Sequence, residues 1–175
     1  MTATLRRYRL IGNAFRVLVV VEALSFLIFA VLHVGVRIPL GFATIGTDRI
    51  EDAAIAEGIS GALLALSACA LLARRRWALG ATVLAQAFSL VAVLVGIAAI
   101  AAGLGPSSPE NDVYHRVLAP VLALSLIWLV TPAGRKSIAL VGDRTDAGRR
   151  DPTDWPRPRG SAAGSPPHSG VHRRP

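Results

Sequence analysis

Five side chains that hydrogen-bond strongly or exchange protons interrupt otherwise apolar stretches of this chain: Glu22, His33, Glu57, Gln86 and His115. An ionisable group at mid-membrane costs about 2.5–3.5 kcal/mol on insertion scales, so it needs a partner or a task. Glu22 and His33 are eleven residues apart, which at about 100° per residue leaves them roughly 20° from one helical face. Phe26 and Phe29 fall between them. Glu57, Ser60, Gly61, Leu64 and Ser67 form a second stripe, and Gln86 with Ser89 a third. Imidazoles suit zinc, copper and iron, and four-helix membrane cytochromes hold haem between histidines on facing helices. His33, His115 and Glu57 are therefore candidate metal or haem ligands; the bland alternative is a structural histidine bonded to Glu57 or a carbonyl. Glu22 has the chemistry of a proton carrier, because apolar surroundings favour the neutral acid. Equally, it serves as a neutral acid hydrogen-bonded to Gln86 or a serine.

These groups must be positioned by helices that cross a bilayer. The 175 residues are 53% hydrophobic and only 17% charged, whereas a soluble domain carries about a quarter charged residues. A hydrocarbon core about 30 Å thick needs roughly 20 apolar residues, and stretches 17–36, 53–73, 77–102 and 113–131 qualify. Their apolar character runs around the helix, which excludes a surface-lying amphipathic helix. The expected fold is all-α: a membrane-embedded four-helix bundle at 17–137, preceded by a cytoplasmic segment 1–16. Nucleic acid is not expected as a partner despite the formal charge of +8, because the basic residues sit at segment ends rather than on one face. A single cysteine, Cys69, excludes disulfides and multi-cysteine clusters; it reads as a small packing residue.

Orientation follows from the arginines. Arg6, Arg7, Arg9 and Arg16 precede the first span, Arg74–Arg76 fill the second connection, and Arg135 with Lys136 follow the fourth span, while the other two connections carry Asp48, Glu51 and Asp52, and Glu110 and Asp112. The positive-inside rule places both termini in the cytoplasm. The first span is too long for a signal peptide, and no small-residue cleavage site follows it. With this orientation His33 and Glu57 lie about 5 and 6 Å below the same outer surface at helical rise. His115 opens the fourth span there, and the three form an outer polar layer. Glu22 lies alone toward the inner side, near the levels of Ser67, Ser125 and Gln86.

The remaining features are connections and packing. The short 73–76 turn makes the second and third spans an antiparallel hairpin. Small residues recur every fourth position on both, at Ala54, Gly58 and Ala62 and at Ala81, Ala85 and Ser89, and such rows let helices approach closely in lipid. Asp48 with Glu51 reads as a capping pair, Ser108–Pro109–Glu110 as a second helix start, and Pro120 as a kink in the fourth span. Residues 37–46 are too apolar for a solvated loop and too broken for a helix; they are expected either to lie over the bundle mouth as a lid or to rest on lipid. Residues 138–175, rich in Pro, Gly and Arg and holding His168 and His172, read as a disordered cytoplasmic tail open to anionic lipid or a cytoplasmic protein.

The strings IPLGFATI, AIAEGI and NDVYHRV in a four-span frame, with eighteen arginines against one lysine, resemble small integral membrane proteins of high-GC bacteria whose activity is uncharacterised. The resemblance covers roughly residues 10–135; it implies a bacterial inner membrane and brings no substrate or site. Helix number and an acid in the first span are similar to the small multidrug-resistance exporters, but this chain is longer and lacks their tryptophan and tyrosine placement. No nucleophile–base set, phosphate loop, nucleotide fingerprint or metalloprotease motif is present, so an enzyme is the least supported class. Three readings stay open: a non-catalytic membrane component, alone, as a homo-oligomer or docked on a membrane partner; a metal or haem protein using His33 and His115; and proton-coupled transport using Glu22.

Overall fold

The computed structural model describes residues 3–39, 41, 44–45, 49–104 and 109–142. Its elements are α1 (Ala3–His33), β1 (Ile38–Pro39), β2 (Thr44–Ile45), α2 (Glu51–Leu72), α3 (Ala78–Ala101), α4 (Pro109–Val130) and α5 (Pro132–Gly142). Helices α1 to α4 are each long and apolar enough to cross a membrane. The chain is an all-α bundle of four candidate spans with a short fifth helix.

The interior is largely apolar, with Phe15, Val19, Phe26, Leu64 and Leu122 at its core, but the exterior is apolar as well, unlike that of a protein folded in water. Val17, Val21, Leu24, Ile28 and Val31 of α1 are exposed, as are Leu84, Val91 and Val95 of α3 and Val117, Leu124 and Ile127 of α4. Glu22, His33, Glu57, Ser60, Thr82, Gln86 and Ser89 are buried instead. Helices that show apolar surface outward and keep polar groups inside are matched to lipid. This is a membrane protein by the character of its surface.

Helix α1 is longer than its expected span. Thirty-one residues extend about 46 Å, against a hydrocarbon core of about 30 Å, so the first turns bearing Arg6, Arg7 and Arg9 continue the same helix instead of forming a separate segment. It ends at His33, where Gly35 adopts φ +92° and its amide bonds to the Leu32 carbonyl at 2.9 Å. The Ile50 amide then bonds to the His33 carbonyl at 2.9 Å, tying the end of α1 to the start of α2.

Several local expectations are revised. The N-cap of α2 is Ile50, with no side-chain cap, so the helix starts without the expected capping pair; Asp48 lies outside the described residues. Ser108 lies outside them too. Residues 37–46 contain a two-stranded antiparallel pair, Ile38 opposite Ile45 and Pro39 opposite Thr44, with Gly41 at φ +81°. The small-residue row of α2 faces α1 more than α3. A Cβ on Gly58 would meet the Ala30 Cβ at 3.9 Å, a Cβ on Gly61 would lie 2.8 Å from the Leu27 side chain, and Ala62 is exposed. On α3, Ala85 and Ser89 are buried as such a row requires. Cys69 is exposed and so packs against nothing inside. Pro120 lies within α4, whose helix continues through it.

Helix α5 was not anticipated, and it extends to Gly142, past residue 138 where the tail is expected to begin. Thr131 supplies the signal: its Oγ1 accepts from the Gly134 amide at 3.1 Å, and Pro132 occupies the first helical position. Gly134 sits against Trp128, Lys136 lies 5.5 Å from the centre of the Tyr8 ring, and α5 packs on α1. Residues 143–175, with His168 and His172, lie outside the described residues.

Candidate functional site

Two polar centres occupy the bundle interior at different heights. The upper one joins α1, α2 and α4. His33 Nδ1 and Glu57 Oε2 are 2.6 Å apart, with the two side chains 0% and 6% exposed. The other carboxylate oxygen, Oε1, is 3.9 Å from His115 Nε2. The three residues assigned to one outer layer by helical rise are thus neighbours.

The tautomer of His115 is dictated by its surroundings. Its Nδ1 is 2.9 Å from the Asn111 carbonyl oxygen, which only accepts, so Nδ1 carries the hydrogen. In the neutral ring Nε2 is then an acceptor, 3.9 Å from Glu57 Oε1 and close enough to Gly96 that a Cβ added there would lie 3.5 Å away. The i, i+4 spacing of Asn111 and His115 was visible in sequence, but its role in fixing a ring nitrogen was not. Aromatic rings wall the centre: Phe29 stacks on Tyr114 with centroids 3.6 Å apart, and Tyr114 meets His115 edge-on at 5.4 Å.

As a cofactor site this arrangement is particular. Glu57 bridges the two imidazoles by hydrogen bonding and proximity, and among the described residues no group of three or more His, Cys, Asp or Glu side chains is spaced to hold a metal ion. What the structure shows is a short, buried carboxylate–imidazole hydrogen bond with a second imidazole beside it. At 2.6 Å a ring nitrogen and a carboxylate oxygen share one hydrogen between them. Glu57 Oε1 and His33 Nε2 are buried without a hydrogen-bond partner, and buried polar atoms in native proteins are normally satisfied by a ligand or water when the protein itself does not.

A cavity of about 250 Å³ opens onto this centre. Glu57, His115, Asn111 and Asp52 contribute its polar surface, and Ala53, Val93, Ala99 and Ile100 are among its apolar walls. Asp52 was read only as a loop charge in the sequence; the start of α2 at Glu51 turns it into the cavity lining. None of the described residues of the 37–46 segment lines the cavity, so no lid over it is seen among them.

The lower centre surrounds Glu22. Its Oε2 accepts from Gln86 Nε2 of α3, and its Oε1 accepts from Ser125 Oγ of α4 at 3.2 Å. All three are buried. Ser67, at a similar level, bonds instead to its own helix at the Leu64 carbonyl, 2.8 Å away, as serines in apolar helices commonly do. Glu22 therefore bolts α1 to α3 and α4, while Glu57 bolts α2 to α1 and faces α4. Ser60 Oγ, Ser89 Oγ and Gln86 Oε1 are buried without partners, and helical rise puts Ser60 and Ser89 at heights between the two centres.

Fold and site together define a class, the helical protein of four candidate membrane spans with two buried carboxylates held by polar side chains of neighbouring helices. No protein-family model matches the chain, and no curated protein or solved structure is similar enough to count as a relative.

Proposed function

We propose that this chain is a non-catalytic protein of a bacterial plasma membrane, with both termini cytoplasmic, that binds a small lipophilic amine in the upper cavity in exchange for a proton. The observation that carries the reading is the carboxylate of Glu57, held by His33 through one oxygen while the other lies buried, without a hydrogen-bond partner, in the wall of an apolar cavity. At about 250 Å³ the space is below the usual range of about 300–1,000 Å³ for drug-sized ligands, which favours a small occupant. Two acids, Asp52 and Glu57, favour a cationic head, and the apolar walls favour a hydrocarbon body. A protonated amine that pairs with the Glu57 carboxylate displaces the proton shared with His33. One charge enters, one leaves, and the buried site stays neutral.

Benzylamine titration of the purified protein in mild detergent tests this. Saturable binding with release of about one proton per amine is expected, with weaker binding of benzyl alcohol and loss of the proton signal in Glu57→Gln. Equal benzylamine binding by wild type and Glu57→Gln overturns the reading. An absorption spectrum and elemental analysis of the same sample decide the metal and haem alternative.

The partnerless Ser60, Ser89 and Gln86 atoms favour a more specific version, in which protons pass between the upper couple and Glu22 and binding becomes transport. Glu22→Gln would then retain benzylamine binding in detergent but lose flux driven by a pH gradient in liposomes.

A further inference from the structure

The opposite end of the bundle holds a second cavity, of about 270 Å³, lined by Arg16 of α1, by Arg74, Arg75 and Arg76 of the α2–α3 turn, and by Leu79 and Ile138 among its apolar residues. Arg16 is unusual here. It is only 8% exposed, its Nε has no hydrogen-bond partner, and the charge that acts on it is that of Arg74, which repels it. No carboxylate lines this cavity among the described residues. A largely buried arginine repelled by Arg74, with Arg75 and Arg76 lining the same cavity, is electrostatically unfavourable unless an anion is supplied from outside.

We propose that this cavity binds a phosphate group, presented by an anionic phospholipid or free in solution. Guanidinium groups suit phosphate because their planar forks donate paired hydrogen bonds to its oxygens. The turn brings three forks to the rim, and α1 provides a fourth from the wall. Leu79 and Ile138 give the cavity an apolar side that a free anion does not need and a lipid glycerol backbone can use. Basic pockets between spanning helices on the cytoplasmic side are a recognised place for anionic headgroups. Helix α5, through Ile138, closes the side of the pocket that a four-helix bundle would leave open, which gives this unanticipated element a task.

The test uses the full chain in phosphatidylcholine nanodiscs, with phosphatidylglycerol added to the lipid in one arm and inorganic phosphate added to the buffer in the other. Thermal unfolding and native mass spectrometry of retained lipid are the readouts. The wild type is expected to unfold at a higher temperature as phosphatidylglycerol is added and to retain that lipid. Arg16→Met, which removes a charge that no carboxylate of the cavity lining pairs, is expected to fold at least as well in phosphatidylcholine and to lose roughly tenfold to a hundredfold in affinity for the headgroup. Arg75→Gln is the second variant, should Arg16→Met fail to accumulate, and is expected to weaken binding in the same direction. Arg7→Gln removes an equal charge outside the cavity and should leave the response unchanged. A response to inorganic phosphate as large as that to lipid identifies the anion alone as the ligand. The proposal is overturned if neither arm shifts the wild type, or if Arg16→Met and Arg75→Gln respond as the wild type does.

Discussion

His33 and Glu57 meet at 2.6 Å across the α1–α2 interface, and a backbone hydrogen bond from the Ile50 amide to the His33 carbonyl ties the end of α1 to the start of α2. Side chain and main chain of His33 are thus both held by α2 or its N-cap, so the imidazole has little freedom to leave the carboxylate. Hydrogen bonds between spanning helices average about 0.6 kcal/mol and reach about 1.7 kcal/mol. Short and buried, this pair belongs at the upper end. A double-mutant cycle with His33→Ala and Glu57→Gln in a reversible detergent unfolding assay should return a coupling of about 1–2 kcal/mol. A coupling near zero would mean that the two side chains are merely adjacent.

The same cycle extended to His115 should behave differently. His115 is held by Asn111 on its own helix and stands 3.9 Å from Glu57, beyond hydrogen-bond range. His33→Ala and His115→Ala are therefore expected to be close to additive in stability, within about 0.5 kcal/mol. In benzylamine binding they are expected to be non-additive, since both act on one carboxylate. Ring nitrogen shifts in the NMR spectrum of labelled histidine should show His115 carrying its hydrogen on Nδ1 when neutral.

Glu22 separates charge from hydrogen bonding. Glutamine at this position keeps an acceptor for Gln86 or Ser125, whereas leucine leaves both without a partner in the interior. Glu22→Gln should therefore cost under about 1 kcal/mol, and Glu22→Leu about 1–3 kcal/mol, the usual penalty for stranding buried polar groups. Unfolding midpoints of the two variants, compared in one detergent, check this. Equal losses would show that the carboxylate charge itself, not its bonds, holds α1 in place.

What was legible in advance followed from quantities that sequence carries directly. Apolar length located α2, α3 and α4 to within about four residues at each end, and α1 at its C-terminal end only; the fixed rise of a helix placed His33, Glu57 and His115 at one height. Helix rotation about its own axis is not carried in that way. Gly58 and Ala62 share a row in the sequence, yet one faces α1 and the other is exposed, because the close approach is set one residue group away, at Gly61 against Leu27. Cys69 was misplaced for the same reason. Helix α5 is hidden by composition: Arg135 and Lys136 read as the basic flank of the fourth span and residues from 138 as a polar tail, while the cap at Thr131 is the signal that matters. The basic cavity was hidden because its four arginines looked like topology markers, and only the fold shows that Arg16 is buried among them.

Gly61 and Gly58 make a matched pair for testing the α1–α2 contact. A methyl group at Gly61 would collide with Leu27 at 2.8 Å, with the Leu27 backbone nitrogen behind it at 3.1 Å, whereas at Gly58 the nearest atom is an ordinary 3.9 Å away. Gly61→Ala should destabilise by about 1–3 kcal/mol through overpacking. Gly58→Ala should be neutral or slightly stabilising, since alanine is the better helix former by about 1 kcal/mol. The order of the two unfolding midpoints is the readout, and a reversed order would place the tight contact elsewhere.

Orientation is open to a chemical test because the chain has one cysteine. Cys69 is exposed on the bundle surface, so a Cys69→Ser background gives a clean reporter frame. Cysteines introduced at Arg76 and, separately, at Asp112 lie at opposite ends of the helices they border, the first in the turn before α3 and the second in the first turns of α4. With both termini cytoplasmic, an impermeant maleimide added to intact cells should label Asp112→Cys and spare Arg76→Cys until the membrane is opened. The cavity assignments depend on the outcome in a specific way. If Arg76→Cys is labelled from outside, the arginine cavity faces away from the anionic cytoplasmic leaflet, and the case for a lipid headgroup loses its strongest electrostatic support while the case for a soluble phosphate stands. If Arg76→Cys is protected, the four arginines lie where anionic headgroups concentrate, and the Glu57 cavity opens toward the side from which an external amine arrives.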